Sequence, residues 1–313
     1  MPENTQPVTT RRRRYERSPS QERLIGLTPT KVQMLHFLAE LRFLSLPQLA
    51  KLCCPSDRQD LSEKSARRHM RDLFDAGLVN VLPVSRAALA PPGIPNDASL
   101  LYGSAPNVYA PTAQGLKLLR EAGVIGEELL KRLAPAYGPK NSLFLAHELA
   151  VRDVRVWLER CAREGGHAVE EWRDGEEASF DLRRDHPPLW VRPDAWFAYR
   201  LGMAVLVGLV EVDRGTERGG KHWGKKLHDY TALFAGGQLP TMTGYRNARL
   251  LIIAPNDRRR DHLQEVVEQH AVIHVLSRVW LTTKATLSNS RLDSLCWRRP
   301  GNQLLQAIVP STG

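Results

Sequence analysis

The sequence predicts an α+β chain in two parts, a helical N-terminal part closed by a strand pair and an α/β part built on a central mixed sheet. Three observations predict it. Between Leu27 and Gly123 the apolar residues recur at helical spacing three times, alternate over two short runs, and return to helical spacing. From Asn141 to about residue 285 the order read from periodicity is helix, three strands, helix, strand, helix, strand. The stretch between them, Gly123 to about Pro139, carries Pro135 and Gly138-Pro139, the composition of a connection, with a helical turn or two expected at Glu127 to Leu133.

Length and composition agree with this division. A chain of 313 residues has room for two domains of roughly 100–200 residues, each with its own core. The longest apolar run, Ala204 to Val210, is far shorter than the ~18–20 residues needed to span a bilayer. No apolar segment opens the chain as a signal would, so a soluble protein with no membrane partner is expected. The four cysteines are Cys53, Cys54, Cys161 and Cys296. They form neither a metal knuckle nor a disulfide framework, and a reducing cytoplasm is the expected setting. The formal charge of +10 and pI near 9.7 call for a polyanionic partner, of which nucleic acid is the usual one.

Each element has a local cause. Met1 to about Glu22 mixes polar residues and prolines around Arg11, Arg12, Arg13 and Arg14. It lacks the apolar side chains to offset the entropy of ordering and reads as a disordered basic arm suited to lying along phosphates. Thr28 followed by Pro29 marks an N-cap and first helical residue, with Val32, Leu35, Leu38 and Leu41 carrying a helix to about Arg42. Ser45 or Leu46 starts a second helix that runs to about Leu52. A third is expected from Ser62 to Ala76, with Ala66, Met70, Leu73 and Phe74 inward, Lys64, Arg67, Arg68 and Arg71 outward, and Gly77 at its end. Three short helices with the last one basic form a helix-turn-helix pattern. Leu78 to Val84 reads as a strand, Ala87 to Pro106 as a Pro/Gly-rich loop and Asn107 to Ala110 as the return strand, which together make a wing. A helix from Thr112 to Ala122 follows. Val108-Tyr109-Ala110-Pro111-Thr112-Ala113-Gln114-Gly115 resembles the returning strand and next helix of many winged helix-turn-helix proteins. On the third helix of such a unit, Lys64, Arg67, Arg68 and Arg71 sit where a recognition helix meets the major groove of double-stranded DNA. The bland alternative is an ordinary solvated face.

In the second part a long helix is expected from Asn141 to about Arg163, with Leu143, Phe144, Ala150, Val151, Val154 and Leu158 on its apolar stripe. His147 falls on that stripe and Glu148 at its edge, where Glu148 and Arg152 have the spacing of a surface ion pair. Strands are expected at His167–Trp172, Leu189–Ala198 and Ala204–Asp213, then a helix Gly220–Phe234, a strand Ala248–Ala254, a helix Asp257–Gln269 and a strand Val272–Leu276. Asp194 follows Pro193 in the second strand. Glu211 and Asp213 end the third, two apart and therefore on one face.

This order and spacing resemble the PD-(D/E)xK nuclease superfamily, in which the Pro-Asp and the following acid hold a divalent cation that activates water against a phosphodiester. The resemblance implies a Mg²⁺ or Mn²⁺ site at Asp194, Glu211 and Asp213, a role for which hard oxygen donors are suited. The sequence departs from the pattern two residues after Glu211, where Asp213 stands in place of lysine. Lys225 or Lys226 of the following helix is the substitute. His147 is read as a residue that orients Asp194 or Glu211, with Glu148 as the alternative contributor. Asp213, Arg214 and Glu217 also fit a purely structural charge network, and Tyr230 fits core packing. Pro193-Asp194-Ala195, Glu211-Val212-Asp213-Arg214-Gly215-Thr216-Glu217 and Lys225-Lys226-Leu227-His228-Asp229-Tyr230 together resemble the replication-relaxation family of plasmid and mobile-element proteins, over about residues 25–280. That resemblance implies DNA binding in replication, relaxation or mobilisation, with replication or mobilisation proteins and a second copy of the chain as partners.

The expected organisation is therefore a basic arm over 1–24, a winged helix-turn-helix over 25–123, a linker over 124–140, a nuclease-like α/β domain over 141–285 and a C-terminal extension over 286–313. Two functions fit it. One is a Mg²⁺-dependent endonuclease or nickase. The other is a non-enzymatic transcriptional regulator or replication accessory with a degenerate, dimerising nuclease-like domain. An RNase H-like strand-transfer core fits less well, since its first strand offers only Glu170, Glu171 and Asp174 near its end. A covalent relaxase would need a histidine trio that the spacing lacks.

Overall fold

The structure, a computed structural model, describes residues 17, 26–82, 84, 105–133, 142–182, 189–215 and 220–310. These form two compact units, one of the described residues up to 84 and from 106 to 133, the other of residue 105 and those from 142 onward. Arg11, Arg12, Arg13 and Arg14, most of the loop expected over 87–106, Asn141 and Glu217 lie outside the described residues. Among the described residues no helix is long and apolar enough to cross a membrane.

The first unit runs α1 (Pro29–Leu41), β1 (Leu44–Ser45), α2 (Leu46–Cys53), α3 (Gln59–Asp75), β2 (Val79–Leu82), β3 (Val108–Pro111), α4 (Ala113–Glu121) and α5 (Glu127–Leu133). Pro29 opens α1, and the Thr28 hydroxyl accepts the Lys31 N–H at 3.4 Å, so an otherwise orphan donor is satisfied. The Ser45 N–H donates to Gln48 Oε1 at 2.9 Å, one half of a capping box that starts α2. On α3, Ala66, Met70, Leu73 and Phe74 are buried, at the spacing of one helix face. The three strands form an antiparallel sheet in the order β1-β3-β2, with Tyr109 paired to Leu44 on one side and Val81 on the other. The unit thus runs helix, strand, helix, helix, strand, strand, with a closing helix pair.

Two readings are corrected here. Leu44-Ser45, expected only as the lead into a helix, pairs as the third strand, because a buried extended dipeptide needs ladder partners for its backbone groups. Glu127–Leu133, where a helical turn or two is expected within the linker, is a helix that packs on α1. Arg17, within the expected solvated arm, docks at the end of α3: its Nε donates to the Phe74 carbonyl at 3.1 Å and its guanidinium lies 5.1 Å from the centre of the Phe74 ring.

The turn that joins sheet and helix in this unit leaves no room for a side chain at Gly115. Thr112 Oγ1 accepts the Gly115 N–H at 3.1 Å and donates to the Gly77 carbonyl at 2.7 Å. A Cβ on Gly115 would lie 2.3 Å from the Leu78 carbonyl oxygen, a backbone atom that cannot rotate away. Gly115→Ala is therefore expected to cost about 1–3 kcal/mol, in the range of overpacked cores. Thermal melts of the full chain check this, and an unchanged midpoint would refute the close packing.

The second unit has the order α6 (Ser142–Gly165), β4 (Ala168–Asp174), β5 (Phe180–Asp181), β6 (Trp190–Val191), β7 (Ala195–Leu201), β8 (Ala204–Val212), α7 (Gly220–Ala235), α8 (Leu239–Thr243), β9 (Arg249–Ala254), α9 (Asp257–His270), α10 (Ile273–Leu276), β10 (Val279–Thr283), α11 (Lys284–Asn289), β11 (Trp297–Arg299) and β12 (Asn302–Gln306). Seven strands make one mixed sheet in the order β12-β11-β10-β9-β8-β7-β4. β4, β7 and β8 form an antiparallel meander, and the helical crossovers make β8, β9 and β10 parallel. The core α6-β4-β7-β8-α7-β9 runs helix, three strands, helix, strand, the order expected from the sequence. Trp223, Leu227, Tyr230 and Leu233 of α7 pack with Leu209, Leu250 and Ile252 in the principal core of this unit.

Several expectations are corrected in this unit. Leu189–Ala198 is not one strand: Trp190-Val191 pairs with Phe180-Asp181 in a separate ribbon, and Asp194 sits in the bend before β7. The strand expected at Val272–Leu276 is the helical turn α10, and the strand that pairs with β9 lies one segment later at Val279–Thr283. Both are short apolar runs, which periodicity alone cannot assign. Phe144, placed on the buried stripe, is 63% exposed, because the stripe runs through Leu145, Ala146 and Leu149 instead. Arg152, expected to pair at the surface with Glu148, is 1% exposed; its Nη1 donates to the Glu148 carbonyl at 2.8 Å and its Nη2 lies 3.3 Å from Glu148 Oε2. Residues 286–310 are no mere extension, since β11 and β12 continue the sheet.

Candidate active site

Period-two alternation sends the Glu211 and Asp213 side chains toward the same helix, α7. On that helix Trp223, Lys226 and Tyr230 stand at i, i+3 and i+7 and so share the face that meets the sheet. Lys226 Nζ reaches Glu211 Oε2 at 2.5 Å, and the Tyr230 hydroxyl donates to Glu211 Oε1 at 2.8 Å. Lys225, one residue away and rotated about 100° around the helix, has a side chain 79% exposed and pairs with Asp229 at 3.2 Å. Of the two candidate lysines, helical geometry brings only Lys226 to the acids.

Asp194 is gripped from three directions. Its own N–H donates to the Val210 carbonyl at 2.9 Å, its Oδ2 accepts the Val212 N–H at 2.7 Å, and its Oδ1 lies 3.0 Å from His147 Nε2. Ala195 pairs with Val210, so the next position outward places Asp194 beside Glu211 at the end of the β7–β8 ladder. His147, Asp194, Glu211 and Lys226 line one cleft of about 330 Å³, with Phe144 and Trp223 also in its wall. Glu148 is engaged with Arg152 and does not line that cleft.

The electrostatics follow from this packing. Burial raises Glu211, which is 1% exposed, to a pKa of about 7; Lys226 opposes the rise and the Asp194 charge adds to it. Burial also disfavours the Asp194 carboxylate, but its hydrogen bond to His147, the charges of His147 and Lys226, and the Val212 N–H together hold it below the usual carboxylate range. For His147 burial disfavours the cation, yet the Asp194 hydrogen bond and charge raise it above the ordinary imidazole value. Burial, followed by the Glu211 charge, pushes the Tyr230 phenol well above its normal value. The cleft thus contains two acid–base pairs, His147 with Asp194 and Lys226 with Glu211.

Asp213 is placed differently. Its Oδ2 accepts from Arg259 Nη2 at 2.7 Å and from Trp223 Nε1 at 3.2 Å, and its Oδ1 accepts from the Gly215 N–H. Asp213 lines the same cleft as Asp194 and Glu211, but its carboxylate is engaged by the Arg259 guanidinium. Among the described residues no group of three or more His, Cys, Asp and Glu side chains converges as a metal site. Two hard carboxylates at one cleft still suit Mg²⁺ or Mn²⁺, which take one or two protein carboxylates and draw their other ligands from phosphate and water. Arg259 and Trp223 carried no signal of this role in the sequence: Arg259 is 46 residues from Asp213, and one Trp in an amphipathic helix marks only a core position.

In the first unit Lys64, Arg67 and Arg68 are exposed on α3. Arg71 is not free on that face. Its Nε donates to Asp75 Oδ2 at 3.1 Å and its guanidinium lies 5.5 Å from the centre of the Phe74 ring, contacts that tie it to the end of α3.

A family model described as replication-relaxation matches residues 35–247. No curated protein sequence matches the chain. Among solved structures, the restriction endonuclease FokI is similar with a TM-score of 0.27 and 10% sequence identity, over 83% of this chain and 42% of that one. The chain thus spans less than half the length of that enzyme.

Proposed function

The chain belongs to the replication-relaxation family, and from that premise we propose that it binds double-stranded DNA through its first unit and nicks it in the cleft of its second. One observation carries the reading: Asp194, Glu211 and Lys226, from a bend, a strand end and a helix, line the same cleft. Asp194 and Glu211 would hold the divalent cation, which would supply a water of lowered pKa and neutralise charge on the phosphodiester. Lys226 is the group of this chain that meets charge developing on phosphate oxygens. His147 and the Val212 N–H hold Asp194 in position, and Tyr230 does the same for Glu211, as partners behind metal ligands commonly do. The test is conversion of supercoiled plasmid to open circle by wild type with Mg²⁺ or Mn²⁺ and not in chelator.

A second reading is a non-enzymatic replication accessory or regulator whose second unit dimerises. It is favoured by the internal partners both carboxylates already have, in His147, Lys226 and Tyr230. This reading expects equal duplex binding with metal and with chelator, and no nicking in either.

Duplex binding itself is checked on α3. The triple substitution Lys64→Ala, Arg67→Ala and Arg68→Ala is expected to weaken duplex affinity and to flatten log K against log[salt] by up to about 2.7, at about 0.9 for each phosphate no longer neutralised. An unchanged slope, measured by fluorescence anisotropy, removes the recognition-helix assignment.

A further inference from the structure

Far from the acid cleft in register, three arginines gather at the opposite end of the same sheet. Arg249 opens β9, Arg278 immediately precedes β10 and Arg299 closes β11. The parallel β9–β10 and antiparallel β10–β11 pairings bring these positions to one end. The guanidiniums of Arg249 and Arg299 lie 4.7 and 5.0 Å from the centre of the Trp280 ring, and that of Arg278 lies 4.9 Å from the Phe234 ring. Each is also tied to the backbone: Arg249 donates to the Ile308 carbonyl, Arg299 Nη2 to the Ser277 carbonyl at 2.8 Å and Arg278 Nη1 to the Ala248 carbonyl at 3.4 Å.

Other arginines of this unit, Arg259, Arg260 and Arg298 among them, pair with carboxylates. Among the described residues Arg249, Arg278 and Arg299 have no such partner. Burial, and then the nearby Arg299, hold Arg249 below the usual guanidinium range. Gathering uncompensated like charges costs free energy that an external anion offsets. Stacked guanidiniums tied to carbonyls have already given up most of their rotamer freedom, so little more is lost when a phosphate binds.

We infer that this sheet end, built on Arg249, Arg278 and Arg299, is a second contact surface for the phosphate backbone of duplex DNA, separate from α3 and from the acid cleft. It rests on the reading that the chain meets duplex DNA and is independent of whether the cleft cuts. With a net charge of +10 a polyanion is the complementary partner.

The experiment is a salt titration of full-length protein binding a duplex oligonucleotide, followed by fluorescence anisotropy. Wild type is compared with Arg249→Gln/Arg278→Gln/Arg299→Gln, with the corresponding triple Lys variant, and with the α3 triple variant. The Gln triple is expected to lower the salt slope by about 2–2.7, since each phosphate left without its arginine removes about 0.9, and the Lys triple to keep most of it. A lowered slope in the Gln triple with none in the α3 variant upholds this surface and removes the recognition helix instead. An unchanged slope in the Gln triple overturns it, as does a wild type that binds no duplex. An equal fall in the Gln and Lys triples, with lowered melting midpoints in both, also overturns it, because the arginines then act through packing on Trp280 and Phe234.

Discussion

Supercoiled plasmid is expected to be opened by wild type in Mg²⁺ or Mn²⁺ and to be opened about 10²–10³-fold more slowly by Asp194→Asn and by Glu211→Gln. The magnitude follows from the charge stabilisation a bound cation supplies, several kcal/mol, at 1.36 kcal/mol per tenfold in rate. Both substitutions keep shape while removing a charge. In Asp194→Asn the side-chain amide oxygen can still accept the Val212 N–H, which the carboxylate holds at 2.7 Å, so folding and duplex affinity are expected to stay close to wild type. Lys226→Ala is expected to lose cutting as well, whereas Lys225→Ala, whose side chain points to solvent, is expected to leave it unchanged. Equal nicking by wild type and Asp194→Asn would remove the cleft as the site of chemistry. Absence of nicking in every variant, with duplex binding intact in chelator, would favour the accessory reading.

Asp213→Ala is expected to destabilise the fold by about 3 kcal/mol, and its effect on nicking should follow the loss of folded protein. Breaking one half of a buried ion pair costs roughly 3–5 kcal/mol because the remaining charge is stranded. The lower end applies here, since the Arg259 side chain keeps 17% exposure while that of Asp213 has 5%. The same substitution also removes the acceptors for Trp223 Nε1 and the Gly215 N–H. Removing both charges, as in Asp213→Ala with Arg259→Leu, is expected to recover part of the loss, which denaturant titration measures. If Asp213→Ala folds as stably as wild type and yet does not cut, Asp213 belongs with the metal-holding carboxylates and the ion pair with Arg259 is incidental.

Much of the local architecture is legible along the chain, because it depends on neighbours a few residues apart. Thr28-Pro29 and Thr112 announce helix starts through hydroxyls that reach an N–H three residues on. The spacing of Ala66, Met70 and Leu73 orients α3, and the two-residue interval between Glu211 and Asp213 turns both toward α7. Apart from β1, the β5–β6 ribbon and α8, the order of helices and strands through β9 follows from the same short-range periodicities. His147 and Asp194, named together from sequence, lie 3.0 Å apart.

Contacts between distant segments were decided only when the chain folded. The choice between Lys225 and Lys226 depends on how α7 is rotated against the sheet, which the packing of Trp223, Leu227 and Tyr230 sets. Asp213 has the spacing of a metal ligand, yet its carboxylate is met by Arg259, a residue on another helix. Phe144 and Arg152 exchanged their expected environments, since burial on a long helix depends on which elements lie against it and not on its own periodicity. Leu44-Ser45 and Trp297–Arg299 became strands because partners from elsewhere satisfied their backbone groups. Backbone geometry repeats every two or 3.6 residues and so leaves a mark in the order of residues, whereas a carboxylate's partner is chosen by distance in space, for which residue order carries no comparable record.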